Sequence, residues 1–427
     1  MLNKIKKITS KTKSKSKEDS QYIVALDIGT EFVKALIGKV GPNGTEIIGV
    51  GRAHQSLSDM QAGAISDITS VVENCDKALS EAEKQAGLSA RSAVIGIAGE
   101  LVKGTTITVR VKRKDAKVPM TIEEIERIIK LVQQKAQDKA KQQLSWELGG
   151  KDIEVRLVNS ALVSIDIDGY PVTNPVGFQG SDVVIQLFAA FAPMIHIGAL
   201  ERTAQQLDLD LLAVAAEPFA VSRSVIGDDP NASMSAILMD IGGGTTDIAV
   251  INDGGVQGTK MFGIGGRAYT KSIEKELGVD FADAEELKLG LVNNKTPSQK
   301  IPAVEAALHK TLDVWLGGVE LALSEFPKLD HLPNRMLLCG GGSSLDMVVE
   351  ELERTDWYRQ LPFTKRPSVQ YIKPSQVVGI VDKTGIVNDH TYITAMGLLR
   401  VGLDTLQQAN NTATNSIRER LDRILRT

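Results

Sequence analysis

The chain has 427 residues, of which 42% are hydrophobic and 24% are charged, a balance typical of folded globular proteins that excludes a wholly disordered or collagen-like chain. This length is expected to form roughly two or three structural units, or one large composite fold. A net charge of −4 gives no reason to expect nucleic-acid binding. Only Cys75 and Cys339 are present, which excludes a disulfide framework and favours a reducing compartment. The five histidines and two cysteines show no metal-ligand spacing.

The first 20 residues are basic. They carry seven lysines against one glutamate and one aspartate, a net charge of +5 that leaves −9 for the rest of the chain. Ser, Thr and Lys follow the first charges where a signal peptide would have an apolar core, so no secretory signal is predicted. We interpret 1–20 as a flexible basic tail. The alternative is a weak anchor to anionic lipid. One face of a short helix would then carry Met1, Leu2, Ile5 and Ile8.

The strongest evidence for the organisation of the chain is an internal sequence repeat. Residues 22–40 read YIVALDIGTEFVKALIGKV, and residues 235–252 read SAILMDIGGGTTDIAVIN. Each is an apolar strand, an Asp-Ile-Gly turn with Thr close behind, and a second apolar strand, which is typical of a β-hairpin. Two such hairpins, one in each half of the chain, predict two similar α/β lobes.

The region 91–190 between the hairpins is interpreted as a small α+β insert. A helix is predicted over Thr121–Leu144, where Thr121 and Glu124 match a capping box and apolar residues recur on one face. Flanking strands are predicted at Ala93–Ala98, Thr105–Lys112, Glu154–Asp166 and Val183–Ala192.

One apolar stretch, Val183–Leu200, contains no Asp, Glu, Lys or Arg and is a candidate membrane span. It is at the lower limit of spanning length, and Pro193 interrupts it. A buried strand that stops at Pro193, followed by a helix over Ile195–Leu207, fits it better. No transmembrane helix is predicted.

The second half contains further helices and a third glycine loop. Helices are predicted over Tyr269–Leu277, Ala282–Leu289 and Ala303–Ser324. The apolar strand Met336–Cys339 then leads into the loop Gly340–Ser344. Polar residues at Asp404–Ser416 are interpreted as a linker. The last eleven residues, IRERLDRILRT, are a candidate amphipathic helix.

The glycine loops indicate an anion site. A turn of the form Asp-x-Gly-Thr is expected to leave successive backbone N–H groups free for an anion, with the Thr hydroxyl as a further donor. Glycine allows a positive φ and removes the Cβ that would keep a phosphate away. The turn glycines are Gly29, Gly242, Gly243 and Gly244. Asp27 and Asp240 would be repelled by that anion unless hydrated Mg²⁺ lay between them. For DIGT alone, an ordinary hairpin turn is the alternative.

The third loop, Gly340–Ser344, suits a flat base lying on bare backbone. Its alternative is a plain strand-to-helix turn, which would not need three glycines. Two acidic glycine turns followed by this loop predict a nucleotide site.

These motifs carry a resemblance to the actin-like ATPases in their order and spacing. They are DIGT at 27–30, DIGGGTTDIAV at 240–250, IGG at 264–266, AEELK at 284–288, CGGGSSL at 339–345 and TAMGLL at 394–399. Within that superfamily the chain resembles the bacterial cell-division protein FtsA over roughly residues 21–403. The insert, GAISDI at 63–68 and IDGYPVTNPVGFQG at 167–180 narrow the resemblance to this family.

The resemblance implies an α/β, actin-like two-lobed ATPase fold with a small α+β subdomain inserted in the first lobe. It implies the following division: tail 1–20, first lobe 21–90 and 191–225, insert 91–190, second lobe 226–390 with its outer subdomain at 270–335, a helix returning to the first lobe at 391–403, linker 404–416 and terminal helix 417–427.

The resemblance also implies which residues bind ATP and Mg²⁺. Asp27 and Asp240 would hold Mg²⁺ through water, and Glu217 in AEPFA would orient the attacking water, so these three are the catalytic candidates. The nucleotide contacts would be Gly29, Thr30, Lys34, Gly242, Gly243, Gly244, Thr245, Thr246, Gly265, Gly266, Glu285, Lys288, Gly340, Gly341, Gly342 and Ser343.

Three of these assignments have alternatives from the residues themselves. Lys34 shares a strand face with Phe32 and Leu36 and fits an ordinary edge lysine equally well. Glu217 fits a favourable charge at a helix N-terminus. Glu285 and Lys288 fit a surface ion pair one helical turn apart.

The implied function is that of an ATP-binding scaffold, with slow ATP turnover. It would form filaments on the cytoplasmic face of the membrane at the division site, bind the C-terminal peptide of FtsZ and recruit other division proteins. The 417–427 segment lacks the aromatic residues usual in the family's membrane helix, which leaves open which terminus is the anchor. The alternatives are a PilM-type pilus-assembly protein with a pilus-platform partner, or a small-molecule kinase of the same fold.

Overall fold

The computed structural model describes residues 22–42, 44–226, 233–326, 329–354 and 356–410, with only the backbone at 408–410. The predicted tail 1–20, the end of the predicted linker and the candidate helix 417–427 lie outside the described residues. In the described part, no helix is both long enough and apolar enough to cross a membrane.

Seventeen strands are present in the described ranges. They are β1 (Tyr22–Ile28), β2 (Phe32–Gly41), β3 (Gly44–His54), β4 (Met60–Gln61), β5 (Ala64–Ile65), β6 (Ser92–Ile97), β7 (Lys103–Lys112), β8 (Val155–Ile167), β9 (Tyr170–Pro171), β10 (Asp182–Pro193), β11 (Asp210–Ala216), β12 (Ala236–Ile241), β13 (Thr246–Asn252), β14 (Gly255–Phe262), β15 (Arg335–Cys339), β16 (Ser368–Tyr371) and β17 (Ile380–Asp382).

The α-helices lie between and around these strands. They are α1 (Ile68–Ala86), α2 (Ile122–Glu147), α3 (Met194–Gln206), α4 (Glu217–Ile226), α5 (Gly266–Leu277), α6 (Phe281–Val292), α7 (Ile301–Ser324), α8 (Asp346–Glu353) and α9 (Ile393–Asn410). Short 3₁₀ turns occur at Gly341–Ser344, Trp357–Gln360, Pro374–Gln376 and His390–Tyr392.

The two hairpins form the centres of two sheets. The first sheet has the order β11-β6-β1-β2-β3-β17, and the second has the order β16-β15-β12-β13-β14-β7-β10-β8-β9. β1 pairs antiparallel with β2 and parallel with β6, and β12 pairs in the same way with β13 and β15. The predicted internal repeat is therefore confirmed, because the two copies have the same strand pairing as well as similar sequences.

The second hairpin separates two apolar cores because successive residues of a strand point to opposite faces. Ile237, Met239 and Ile241 pack in the second-lobe core, together with the fully buried Trp315 of α7. Their neighbours Ala236 and Leu238 face the first-lobe core. Both apolar cores therefore pack against the β12–β13 hairpin, one on each face.

The insert differs from its predicted extent. The strand predicted at Ala93–Ala98 is β6, which lies inside the first-lobe sheet between β1 and β11. The insert therefore begins after β6. Its strands β7, β10 and β8 continue the second sheet, because β7 pairs with β14 through Gly258–Thr105 and Thr259–Gly104. Chain order places the insert in the first lobe, whereas hydrogen bonding connects it to the second.

The insert helix α2 begins as predicted, but only half of the predicted capping box forms. The Thr121 side chain accepts a hydrogen bond from the backbone N–H of Glu124. The Glu124 carboxylate does not reach back to the cap. It binds Arg113, at 2.8 Å from Nε and 2.9 Å from Nη2. The candidate membrane span is strand β10 followed by helix α3.

The predicted linker is wrong over 404–410, where α9 continues. Asp404 is only 3% exposed. Its carboxylate accepts from Arg400 Nε at 2.8 Å and from Arg223 Nη2 at 2.9 Å. The polar residues of this segment are typical of a linker, because the sequence does not show that Asp404 has buried partners. These partners are Arg223 on α4 and Arg400 one turn earlier on α9.

The Asp404 cluster generates a stability prediction. Asp404→Ala leaves two guanidinium groups without their shared carboxylate, and removal of one partner from a buried ion pair costs about 3–5 kcal/mol. We expect a decrease of that size in the free energy of unfolding, measured by urea denaturation. Glu201→Ala is the matched control, because its carboxylate binds the exposed Arg156 and is expected to contribute less than about 1 kcal/mol. Equal effects of the two substitutions would contradict the prediction.

Candidate nucleotide-binding cleft

A cleft of about 280 Å³ lies between the lobes, where the turns of both hairpins meet. Most of the candidate residues line it. They are Asp27, Gly29, Thr30, Lys34, Glu217, Asp240, Gly242, Gly243, Thr245, Gly266, Glu285, Lys288, Gly340, Gly341 and Gly342. The tertiary structure brings these residues together from positions more than 300 residues apart in the chain.

The two hairpin turns approach so closely that side chains are excluded from one of them. A Cβ on Gly244 would lie 2.7 Å from Thr30 Oγ1, and a Cβ on Gly243 would lie 2.9 Å from the Cβ of Glu31. The predicted reason for these glycines is therefore incomplete. None of Gly29, Gly242, Gly243 or Gly244 has a positive φ, so close contact between the lobes explains the glycines at 243 and 244.

The turn N–H groups also differ from the prediction. The N–H of Gly29 donates to the carbonyl of Phe32 at 3.1 Å, and the N–H of Gly242 donates to the carbonyl of Thr245 at 2.9 Å. These bonds close the two turns, so these two N–H groups are engaged within the turns and are not left free for an anion as predicted.

Arg267, which the sequence analysis did not single out, bridges the lobes at the cleft. It follows the IGG motif on α5 and donates to the first hairpin turn, with Nε 2.8 Å from Glu31 Oε2 and Nη2 2.7 Å from the Thr30 carbonyl. The other carboxylate oxygen of Glu31 lies 2.7 Å from His54 Nε2. No motif marks this residue, since its role depends on a contact across 236 positions.

Lys34 is an interior residue of the first sheet and not an edge lysine, which contradicts that alternative. It lies on β2, between β1 and β3, and its side chain is 14% exposed. Its Nζ binds Asp27 Oδ2 at 3.0 Å across the antiparallel pair Asp27–Lys34. Burial lowers the pKa of Lys34, but attraction to Asp27 and their hydrogen bond outweigh it and leave the pKa above its ordinary value.

The second hairpin contributes two buried aspartates, opposite one another in the register. Asp240 accepts a hydrogen bond from the Thr394 hydroxyl, and Asp247 accepts one from Thr245 Oγ1 at 3.1 Å. Burial raises the pKa of Asp240, and burial with the negative charge of Asp240 raises the pKa of Asp247 well above its ordinary value. The sequence analysis missed Asp247 as a site residue, although it is the last residue of DIGGGTTD.

Glu217 lies where β11 ends and α4 begins, and it lines the cleft while being 7% exposed. It is in the first turn of a helix, as its alternative interpretation expected, but its environment is anionic. Burial first, and then the charges of Asp27, Asp247 and Asp240, raise the pKa of Glu217 well above its ordinary range. These surroundings therefore make ionisation of the Glu217 carboxyl group harder than it is in water.

The opposite wall of the cleft is formed by α5 and α6. Lys288 is 7% exposed, which contradicts the surface ion pair alternative. Its Nζ donates to Glu285 Oε2 at 2.7 Å, to Thr270 Oγ1 at 2.8 Å and to the Gly266 carbonyl at 3.0 Å. Leu289, Val292 and Asn293 continue this wall and were not predicted.

The third glycine loop packs against the second hairpin. Gly340 has φ +82°, and a Cβ there would lie 2.1 Å from Asp240 Oδ1, so only glycine fits. Ser344 lines the cleft, whereas the buried Ser343 hydroxyl donates to the Gly340 carbonyl at 2.7 Å.

Four candidates lie behind the cleft surface, namely Gly244, Thr246, Gly265 and Ser343. The Thr246 hydroxyl donates to the Ile264 carbonyl at 2.7 Å and accepts from Trp315 Nε1 at 2.9 Å. Gly265 lies against the second hairpin turn, where a Cβ would be 2.6 Å from the Gly242 carbonyl. The contacts of these residues support the loops.

The acidic residues of the cleft do not form a ready-made metal cage. In the described part of the chain, no group of three or more His, Cys, Asp or Glu side chains is arranged to hold a metal ion. Mg²⁺ usually keeps several waters and binds through one or two carboxylates plus phosphates. The oxygen donors of Asp27 and Asp240 are chemically suited to that mode.

A solved structure has the same fold as this chain. The chain of the "PilM-PilN type IV pilus biogenesis complex" aligns with a TM-score of 0.65 and 15% identity, covering 89% of this chain and 98% of that one. The protein therefore has the actin-like two-lobed ATPase fold, as the sequence analysis predicted.

Sequence comparison adds the family resemblance. Residues 237–397 match the family model for cell division protein FtsA. The chain is 27% identical to the cell division protein FtsA of Pseudomonas aeruginosa over 409 residues, which cover 91% of each chain. It is 26% identical to that of Escherichia coli strain K12 over 423 residues, again 91% of each. The predicted resemblance to the bacterial cell-division protein FtsA is confirmed.

The raised pKa of Glu217 generates a pH prediction. Below the ordinary carboxyl pKa, Glu217 is protonated in both the folded and the unfolded chain. Above that pKa the unfolded chain releases the proton that the folded chain retains. The free energy of unfolding therefore falls as the pH rises towards the pKa of Glu217 in the folded chain. Glu217→Gln cannot ionise. We expect the ligand-free variant to melt a few degrees above the parent near pH 8, with the difference vanishing near pH 4, by calorimetry.

Glu124→Gln is the control with the opposite sign. The hydrogen bond from Arg113 lowers the pKa of Glu124, so its ionised form stabilises the fold above the ordinary carboxyl pKa. This variant is expected to melt below the parent at neutral pH. A Glu217→Gln melting curve that follows the parent at every pH would contradict the interpretation.

Proposed function

We propose that the chain binds ATP with Mg²⁺ in this cleft and serves as an actin-like scaffold in bacterial cell division. The observation that carries the nucleotide part is the meeting of two acidic glycine turns across one cleft, with Thr30 and Thr245 at its surface. Backbone and hydroxyl donors in such turns bind phosphate oxygens. Contacts from both lobes to one polyphosphate would favour the closed arrangement.

Each part of the cleft has a role in this proposal. The two hairpin turns and Lys34 hold the phosphates, and Asp27 with Asp240 holds Mg²⁺ through water. The Glu285–Lys288 wall and the Gly340 loop hold the ribose and base. Mg²⁺ when bound supplies positive charge next to the phosphates and the buried carboxyl groups.

Glu217 is proposed to orient the attacking water, and turnover is proposed to be slow. A carboxylate near the terminal phosphate can align water or accept its proton. The surroundings of Glu217 favour the protonated carboxyl group, which cannot accept a proton. Binding of a cation nearby would lower its pKa and so make hydrolysis depend on a completed site.

Calorimetric titration with MgATP tests the nucleotide proposal. The parent is expected to bind, and the double variant Asp27→Ala, Asp240→Ala is expected to lose at least about 100-fold in affinity, because both hairpins then lack the carboxylate that holds the metal. Asp152→Ala removes an exposed carboxylate that binds Lys141 in the insert and should bind like the parent. Absence of binding by the parent, or unchanged binding by the double variant, would overturn the proposal.

The division role is supported by the similarity to FtsA proteins over most of the chain. We propose that the protein forms filaments, binds the C-terminal peptide of FtsZ and recruits other division proteins. Its proposed place is the cytoplasmic face of the membrane at the division site. Weak membrane contacts repeated along a filament would add to one another.

A pilus-assembly role is the second candidate, since the PilM chain shares the fold at a TM-score of 0.65. A pull-down of the full chain on immobilised peptides separates the two roles. We expect retention on an FtsZ C-terminal peptide, and none on a pilus-platform peptide or on a scrambled FtsZ peptide. Retention on the platform peptide alone would replace the division role with the pilus role.

A further inference from the structure

Among the described residues, the cationic side chains that line the cleft are paired with carboxylates, with one exception. Lys34 binds Asp27 at 3.0 Å, Arg267 binds Glu31 at 2.8 Å, and Lys288 binds Glu285 at 2.7 Å. The fourth cation of the lining is Arg52. Within the residues that the structure describes, its guanidinium has no carboxylate at ion-pair distance. Its backbone N–H donates to Glu81 Oε2 at 2.9 Å, but this contact does not involve the charged group.

Arg52 is an exposed residue with a cationic neighbour on the next strand. It lies on β3 directly opposite Lys34 of β2 in the antiparallel register. Like charges at directly opposed positions of neighbouring strands destabilise a sheet. Asp27 forms an ion pair with Lys34, which leaves the positive charge of Arg52 without a carboxylate at ion-pair distance in the described part of the chain.

The guanidinium is held in place by an aromatic ring. Its Cζ lies 3.4 Å from the centroid of the Phe32 ring, which is a cation–π contact. Phe32 follows the first hairpin turn and itself lines the cleft. A ring contact restricts the orientation of the side chain while leaving its N–H donors available. Arginine presents these donors as a planar fork that matches phosphate oxygens.

The location indicates which phosphate is contacted. The proposed base end of the cleft is formed by the second lobe alone, from the Glu285–Lys288 wall and the Gly340 loop. Arg52 lies on the first lobe, on the strand next to Lys34. The terminal phosphate is the part of a nucleoside triphosphate that lies furthest from its base.

We propose that the Arg52 guanidinium binds the terminal phosphate of a nucleoside triphosphate in the cleft and thereby distinguishes ATP from ADP. This inference rests on the proposed nucleotide function. It assigns to Arg52, together with Phe32 as its positioning residue, a role in sensing the nucleotide state.

Calorimetry with MgATP and MgADP tests the assignment. Arg52→Gln is expected to bind MgATP about tenfold or more weakly, because a hydrogen bond to a charged group is lost. Its affinity for MgADP should stay within about twofold of the parent. Phe32→Leu should also weaken MgATP binding, but less than Arg52→Gln does, and should leave the MgADP affinity within about twofold of the parent. Arg110→Gln removes an exposed arginine of the insert and should alter neither affinity.

The ligand-free melting temperature provides an independent readout. In Arg52→Gln, relief of the repulsion with Lys34 is expected to offset the lost Phe32 ring contact, so that the melting temperature stays close to that of the parent, whereas loss of a purely structural arginine would lower it. Equal losses for MgATP and MgADP, no loss for either, or a lower ligand-free melting temperature would each overturn the assignment while leaving nucleotide binding intact. Failure of the parent itself to bind would instead overturn the proposed function.

Discussion

The cleft depends on the direct contact between the two hairpin turns. Thr30 packs against the bare backbone of Gly244, and Arg267 donates to both the carbonyl of Thr30 and the carboxylate of Glu31. A side chain at Gly243 or Gly244 would force Glu31 or Thr30 to shift, and the loss of Arg267 would remove a charged contact between the lobes. The two hairpin sequences are similar. The lobes can meet because the second turn has glycine at positions 243 and 244, where it contacts the side chains of Thr30 and Glu31 in the first turn.

The fold places Glu217, Asp240 and Asp247 in one buried region. Burial raises the pKa of all three carboxyl groups. The charge of Asp240 further raises the pKa of Asp247, and the charges of both aspartates further raise the pKa of Glu217. Buried carboxyl groups avoid this repulsion by taking up protons or by binding a cation. Under the proposed function, a cation bound next to these carboxyl groups would therefore lower their pKa values and favour release of their protons.

The insert adds a second connection between the lobes, away from the hairpin turns. It leaves the first lobe after β6 and returns to it at β11, yet its strand β7 is hydrogen-bonded to β14 of the second lobe. The insert therefore joins the two lobes by hydrogen bonds as well as by the chain itself.

Sequence alone determined the local elements and the family resemblance. Both hairpins, the helices α2, α5, α6 and α7, and the three glycine loops follow from periodicity and turn chemistry, which act within a few residues. The contacts of Arg267 and Arg52 and the burial of Asp404 were decided by the tertiary structure. Each depends on partners placed by packing: a carboxylate 236 positions away for Arg267, a neighbouring strand for Arg52, and two arginines for Asp404. A charged residue has the same local pattern whether it faces solvent or a buried partner, and only the folded chain determines which of these environments it occupies.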